Sequence, residues 1–219
     1  MSTKEFLFSG FGGQGILFAG KFIAYKGLTE GKNVSWLPSY GPEMRGGTAS
    51  CGVIVGDEPV GSPIVNTPDV LVAMNLPSLD RYESAVKKGG MIFYDSSLIE
   101  RPLKRTDVKA YAIPATRLAG ENGSPTLGNM ILVGKILAAL GEYNEEGVNA
   151  ALAKVISAKR ADMLELNYKA LELGANYLER GERWGFAPNP TKEPFCKKVL
   201  WNLQKPLINK DIGEEKRYP

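Results

Sequence analysis

Short apolar runs alternate with longer stretches of helical spacing along the first half of the chain. The runs that predict strands are residues 6–8, 34–37, 50–55, 70–74, 91–94 and 108–113. Between them, helices are predicted from about Ile16 to Thr29 and, behind the capping residue Asn75, over about 77–86. The run 70–74 is continuously apolar, which is typical of a strand covered on both faces. This order predicts an α/β fold: a single Rossmann-like domain whose mostly parallel sheet has flanking helices.

The last third of the domain has helical patterns only. Residues 130–140 are apolar nearly all round except Lys135 and predict a buried helix. Asn144 precedes two glutamates and is expected to cap the next helix. A third helix is predicted by an apolar stripe with spacings of three and four, formed by Leu164, Tyr168, Leu171, Ala175 and Leu178.

The composition changes after Gly181. Prolines interrupt residues 187–194, so regular structure is not expected there. Large apolar residues then recur among charges: Phe195, Val199, Leu200, Trp201, Leu203, Leu207 and Ile208. We therefore predict a domain over 1–181 and, over 182–219, an extended C-terminal arm that packs on this chain or on a neighbour.

A glycine-rich turn joins the first strand to the first helix. It contains Gly10, Gly12, Gly13, Gln14 and Gly15 in a G-x-G-x-x-G spacing. Such a turn lets the backbone approach a ligand, and the helix N-terminus behind it attracts an anion, usually a phosphate. The alternative interpretation is a tight turn without a ligand. No carboxylate follows at 33–38 to bind a ribose, which argues against NAD but leaves a phosphate- or nucleotide-shaped ligand open.

A second unusual loop follows the second strand. It gathers Tyr40, Glu43, Arg45, Gly46 and Gly47 among two prolines. A Glu and an Arg two positions apart can bind a polar ligand or a partner surface, although a salt-bridged surface turn is the alternative. Because the two loops end successive strands, we expect them at the same edge of the sheet, where open α/β folds bind ligands.

Composition removes several kinds of chemistry. The chain of 219 residues has no histidine, and its two cysteines are Cys51 and Cys196. Nucleophile–histidine pairs, His-ligated metals, four-cysteine zinc sites and iron–sulfur clusters within the chain are therefore not expected. The net charge of +3 is weak evidence for a nucleic-acid partner. We expect neither a signal peptide nor a transmembrane segment, and hence a cytoplasmic protein.

Three segments together resemble the gamma subunit or domain of the 2-oxoacid:ferredoxin oxidoreductases. They are the turn 10–15, the stretch Pro38-Ser39-Tyr40-Gly41-Pro42-Glu43-Met44-Arg45-Gly46-Gly47-Thr48-Ala49, and Ser124-Pro125 with Gly128-Asn129-Met130. The family includes pyruvate, 2-oxoglutarate, 2-ketoisovalerate and indolepyruvate enzymes. The resemblance covers about Lys4 to Leu178 and leaves the arm outside.

The resemblance implies a subunit of an enzyme of anaerobic metabolism that is inactive alone. The whole enzyme would use thiamine diphosphate, magnesium, iron–sulfur clusters and coenzyme A, with ferredoxin as the acceptor, and this chain would hold no cofactor alone. Its partners would be alpha and beta subunits, with or without a delta subunit, but no nucleic acid or membrane. The chain would help to bind coenzyme A at residues 10–15 and would have no catalytic or metal-binding residue of its own. A free-standing nucleotide-binding dehydrogenase and a pure scaffold subunit are the alternatives.

Overall fold

The computed structural model describes residues 3–41, 47–157 and 160–177. The strands are β1 (Lys4–Phe11), β2 (Asn33–Tyr40), β3 (Thr48–Gly56), β4 (Val70–Ala73), β5 (Met91–Asp95) and β6 (Lys109–Ile113). The helices are α1 (Ile16–Thr29), α2 (Leu76–Tyr82), α3 (Ala115–Glu121), α4 (Gly128–Ala139), α5 (Glu145–Val155) and α6 (Ala161–Ala175). The predicted α/β domain is confirmed, while the domain boundary at 181 and the arm lie outside the described residues.

The six strands form one mixed sheet in the order β2-β3-β1-β4-β5-β6. The pairs β1–β4, β4–β5 and β5–β6 are parallel, as predicted. By contrast, β3 runs antiparallel to both of its neighbours, β1 and β2. The reason is the short connection between β2 and β3, because a parallel pair needs a crossover of about a dozen residues or more. The expectation of a mostly parallel sheet therefore holds for one side of β1 only.

Helices cover both faces of the sheet. Alternate residues of β1 divide between two cores: Phe6 and Phe8 pack with α1 and α4 on one face, and Leu7 packs with α2 on the other. Strand β4 divides in the same way and is buried along its whole length. Burial on both sides explains the continuous apolar run that marks this strand in the sequence.

Two of the predicted helix starts are confirmed by their caps. The Asn75 side chain accepts a hydrogen bond from Ser78 N at 2.8 Å, and the Asn144 side chain accepts one from Gly147 N at 2.6 Å. Helix α2 is shorter than predicted, because a 3-10 turn at Glu83–Ala85 follows it. Helix α3 was not predicted. Its N-terminus is held by the buried side chain of Asp95, which lies 21 positions earlier in the chain and whose Oδ2 accepts a hydrogen bond from Thr116 N at 3.0 Å.

The central helix of the larger core is α4, and it is buried nearly all round as predicted. Its one charged residue, Lys135, donates to the carbonyl of Tyr177 at 3.0 Å and lies 5.6 Å from the Tyr111 ring centre. Among the described residues, no helix is long and apolar enough to cross a membrane.

Candidate anion-binding site

The glycine turn lies between two neighbouring strands whose following helices cover opposite faces of the sheet. Neighbouring parallel strands β1 and β4 lead into α1 on one face and α2 on the other. Such a switch point opens a crevice at the carboxyl ends of the two strands, where open α/β sheets bind ligands. The structure therefore places the predicted turn at the position where a ligand is expected.

The five predicted turn residues have different roles. Gly10 is still part of β1, and a Cβ there would stand 2.6 Å from Gln14 Oε1. Gly12 N donates to Gly47 O at 2.9 Å. Gly13 and Gly15 adopt left-handed conformations, with φ of 99° and 74°. Since a left-handed conformation strains residues with a side chain, the turn requires glycine at both positions.

Gln14 ties the turn to the neighbouring strand. Its Oε1 accepts from Phe11 N at 2.6 Å, and its Nε2 donates to the carbonyl of Met74 at 2.9 Å. Met74 directly follows β4, so one side chain joins the carboxyl ends of β1 and β4. These two hydrogen bonds of Gln14 hold the turn against the end of β4.

Gly13 is the turn residue that leaves space. A Cβ built on Gly13 meets no atom of the described residues within 4 Å, whereas one on Gly15 would stand 2.5 Å from Asn129 Nδ2. Behind the turn, no side chain of the described residues caps α1, and the first turn of this helix carries no acidic residue. The first N–H groups of a helix have no partner within it and bear a partial positive charge. The geometry therefore suits an anion placed against Gly13 and the start of α1.

The second predicted loop meets the first at the same edge, although Tyr40, which was predicted within the loop, is the last residue of β2 because it pairs with Ala49. Ala49 of β3 pairs with Gly10 on one side and with Tyr40 on the other, so Gly10 and Tyr40 are two strand spacings apart, roughly 10 Å. Together with the bond from Gly12 to Gly47, this confirms that the two loops share an edge. Glu43, Arg45 and Gly46 lie outside the described residues.

Large apolar side chains are exposed around this edge. Tyr40 is 49% exposed, and Phe11, at the end of β1, is 37% exposed. Leu76, at the start of α2, is 39% exposed, and Trp36 and Leu37, farther back along β2, are exposed to a similar degree. In the described part of the chain, β2 is also the outermost strand of the sheet. Apolar groups gathered beside a candidate ligand site are typical of a surface that a partner covers.

The polar side chains of Ser9, Ser78 and Cys51, in the elements next to the turn, are buried and neutral. Ser9 Oγ donates to Ser78 Oγ at 2.9 Å, and both residues are buried. Burial raises the pKa of the Cys51 thiol to about 12, so it stays protonated at neutral pH. Among the described residues, no three acidic, cysteine or histidine side chains cluster as metal ligands. Buried hydroxyls and a protonated thiol do not act as a general acid or base at neutral pH.

Asn129 has a place in the site that the sequence pattern does not reveal. It belongs to a segment that carries the family resemblance, but the spacing gives it no role. In the structure its Nδ2 donates to the carbonyl of Gly15 at 3.0 Å, across 114 positions of the chain. A contact between such distant segments leaves no local signal in a single sequence.

The family is settled by a family model described as Pyruvate ferredoxin/flavodoxin oxidoreductase, which matches residues 5–177. This chain belongs to that family. The matched range agrees with the extent of the sequence resemblance, about Lys4 to Leu178. A similar protein is the ketoisovalerate oxidoreductase subunit VorA of Methanothermobacter marburgensis, 41% identical over 174 residues, which are 78% of this chain and 36% of VorA. The chain thus spans little more than a third of the length of VorA.

Two solved structures of family members resemble the fold. The gamma subunit of a keto/oxoacid ferredoxin oxidoreductase from Geobacter sulfurreducens has a TM-score of 0.67 and 29% identity, covering 78% of this chain and 96% of that one. The 2-oxoglutarate:ferredoxin oxidoreductase from Magnetococcus marinus, with 2-oxoglutarate, coenzyme A and succinyl-CoA bound, has a TM-score of 0.72 and 26% identity, covering 85% of this chain and 33% of that one. The predicted resemblance to a gamma subunit or domain is therefore confirmed.

Proposed function

We propose that this chain is the non-catalytic gamma subunit of a thiamine-diphosphate-dependent, coenzyme-A-acylating 2-oxoacid:ferredoxin oxidoreductase. Its role is to help bind coenzyme A and to complete the assembly around the active site. The observation that carries the proposal is the glycine turn at the switch point: among the described residues, nothing fills the space at Gly13, and neither a cap nor an acid stands at the start of α1. The coenzyme A in the Magnetococcus marinus structure supports this ligand.

The residues of the turn fit a phosphate group of coenzyme A. The N–H groups of Gly12 and Gln14 already donate to Gly47 O and Phe11 O, so these two groups fix the turn. The phosphate would instead lie against the backbone of Gly13 and the first N–H groups of α1. When bound, coenzyme A supplies the thiol that accepts the acyl group, and this chain only holds and orients it.

The exposed apolar side chains beside the turn support a role in assembly. Phe11, Tyr40 and Leu76 are exposed there, and β2 is the outermost strand among the described residues. We propose that the surface formed by these side chains, together with Glu43, Arg45 and Gly46, faces the subunit that holds thiamine diphosphate. Alpha and beta subunits, with or without delta, would carry that cofactor, magnesium and the iron–sulfur clusters.

A pure scaffold role is the competing function. It is favoured by one observation: the turn is already held by its own hydrogen bonds through Gln14. Binding of coenzyme A that depends on Gly13 would reject it. A nucleotide-binding dehydrogenase has no such support, because β2 carries no carboxylate for a ribose.

The proposal predicts that a tagged full-length chain, expressed in its source organism, co-purifies with the other subunits. The complex should oxidise a 2-oxoacid in a reaction that requires coenzyme A, and the isolated chain should neither turn over nor contain iron.

Tyr40→Ser should weaken co-purification without lowering the melting temperature of the isolated chain, because the Tyr40 side chain is half exposed in that chain.

Leu28→Ser provides the matched control for that experiment. Leu28 is 53% exposed, similar to Tyr40, but it lies near the C-terminus of α1, at the opposite end of the helix from the glycine turn. Equal recovery of the partner subunits with both variants would remove Tyr40 from the interface. Purification of the tagged chain alone, or turnover by the isolated chain, would contradict the proposed function itself.

A further inference from the structure

Asn129 is a buried carboxamide that the proposed function leaves unexplained. It is 3% exposed and stands at the start of α4. Its Nδ2 donates to the carbonyl of Gly15, and within the described part of the chain its Oδ1 has no hydrogen-bond partner. A buried acceptor without a partner destabilises the folded state, so stability alone gives no reason for this side chain.

The contact of Asn129 is with the residue that begins α1. The Gly15 carbonyl accepts both the first helical hydrogen bond, from Ala19 N at 3.0 Å, and the bond from Asn129 at 3.0 Å. The carboxamide also fills the space beside Gly15, because a Cβ there would stand 2.5 Å from Nδ2 and 3.4 Å from Oδ1. Asn129 therefore fixes both the carbonyl and the left-handed backbone of the last turn residue.

We infer that Asn129 is a positioning residue, which holds the glycine turn and the N-terminus of α1 in the conformation that receives the anionic group of the ligand. The inference rests on the proposed function, in which that group is a phosphate of coenzyme A. Gln14 fixes the turn from the side of β4, and Asn129 fixes it from the side of α4. The two carboxamides hold the turn at adjacent residues, which leaves Gly13 as its open position.

Asn129→Leu tests the inference because leucine fills a similar volume without the polar atoms. In the assembled oxidoreductase, the KM for coenzyme A should rise about fivefold to tenfold, the effect expected for one lost hydrogen bond. The kcat at saturating coenzyme A should stay within about twofold, because no reacting group is changed. The melting temperature of the isolated chain should be unchanged or higher, since an unsatisfied oxygen is removed.

Asn167→Leu is a closely matched control. Asn167 is also buried, its Nδ2 donates to the Met163 carbonyl at 2.7 Å, and its Oδ1 has no partner in the described part of the chain. It lies inside α6, however, and is not bonded to the turn. We expect Asn167→Leu to leave the KM for coenzyme A unchanged.

Amide hydrogen exchange on the isolated full-length chain gives a second measurement that needs no complex. Peptides over residues 10–18 should exchange at least about fivefold faster in Asn129→Leu than in Asn167→Leu, because the turn opens more often. Unchanged exchange and an unchanged KM for coenzyme A would overturn the inference. If Gly13→Ala raises this KM and Asn129→Leu does not, only the positioning role fails. If neither variant changes it, the proposed binding of coenzyme A fails as well.

Discussion

Gly13→Ala should raise the KM of the assembled oxidoreductase for coenzyme A by more than about tenfold, or roughly 1.4 kcal/mol. The Cβ would meet no atom of the described chain within 4 Å, so it would project into the space that we assign to the phosphate. Steady-state kinetics with varied coenzyme A and saturating 2-oxoacid measures the effect. An unchanged KM in a fully assembled variant would favour the scaffold function.

Backbone strain must be separated from this effect, because Gly13 has a φ of 99°. Gly31→Ala is the control: Gly31 has a φ of 73°, also has open space around it, and lies beyond the C-terminus of α1. Both variants should lose about 1–2 kcal/mol of stability from the left-handed backbone. Only Gly13→Ala should raise the KM for coenzyme A. Equal effects of both variants on that KM would indicate strain and not a lost ligand contact.

Gly174→Ala should lower the free energy of unfolding by about 3 kcal/mol or more, at the upper end of the usual range for overpacked cores. A Cβ on Gly174 would stand 1.8 Å from Ile131 O, and one on Gly134 would stand 2.0 Å from Leu171 O. Helices α4 and α6 therefore touch through their backbones at both glycines, and rigid backbone atoms cannot yield as a flexible side chain does. Urea unfolding of the full-length chain measures the loss.

Gly120→Ala is the control for the second substitution. Gly120 lies near the end of α3 with nothing within 4 Å of its Cβ position. Alanine there should stabilise the chain by about 0.5–1 kcal/mol through helix propensity. If Gly174→Ala did not lower the free energy of unfolding, the close backbone contact between α4 and α6 would be contradicted.

Local patterns were sufficient to predict most elements of this fold. The apolar run 70–74 indicates a buried strand, and the glycine spacing before α1 indicates a tight turn. Both signals come from residues that are close together in the sequence. The direction of β3 does not follow from its apolar pattern, because a buried strand has the same apolar pattern whether it runs parallel or antiparallel to its neighbours. The length of the β2–β3 connection was the signal that could have shown it.

The missing parts depend on side chains that act over long distances. Helix α3 is short and is capped by Asp95, which lies 21 positions from Thr116. The contact from Asn129 to Gly15 and the bond from Gln14 to Met74 likewise join separate segments. The sequence predicted the turn and its edge of the sheet, while the side chains that hold the turn became visible only in the fold.

The most direct test of the central claim is to map where coenzyme A lies in the assembled enzyme. A coenzyme A analogue with a photoreactive group near its phosphates would be crosslinked to the purified complex, and the modified peptides identified by mass spectrometry. We predict crosslinks within residues 10–18 of this chain that excess coenzyme A abolishes and that Gly13→Ala reduces. Competable crosslinks found only on other subunits would contradict the assignment of the glycine turn as a coenzyme A site.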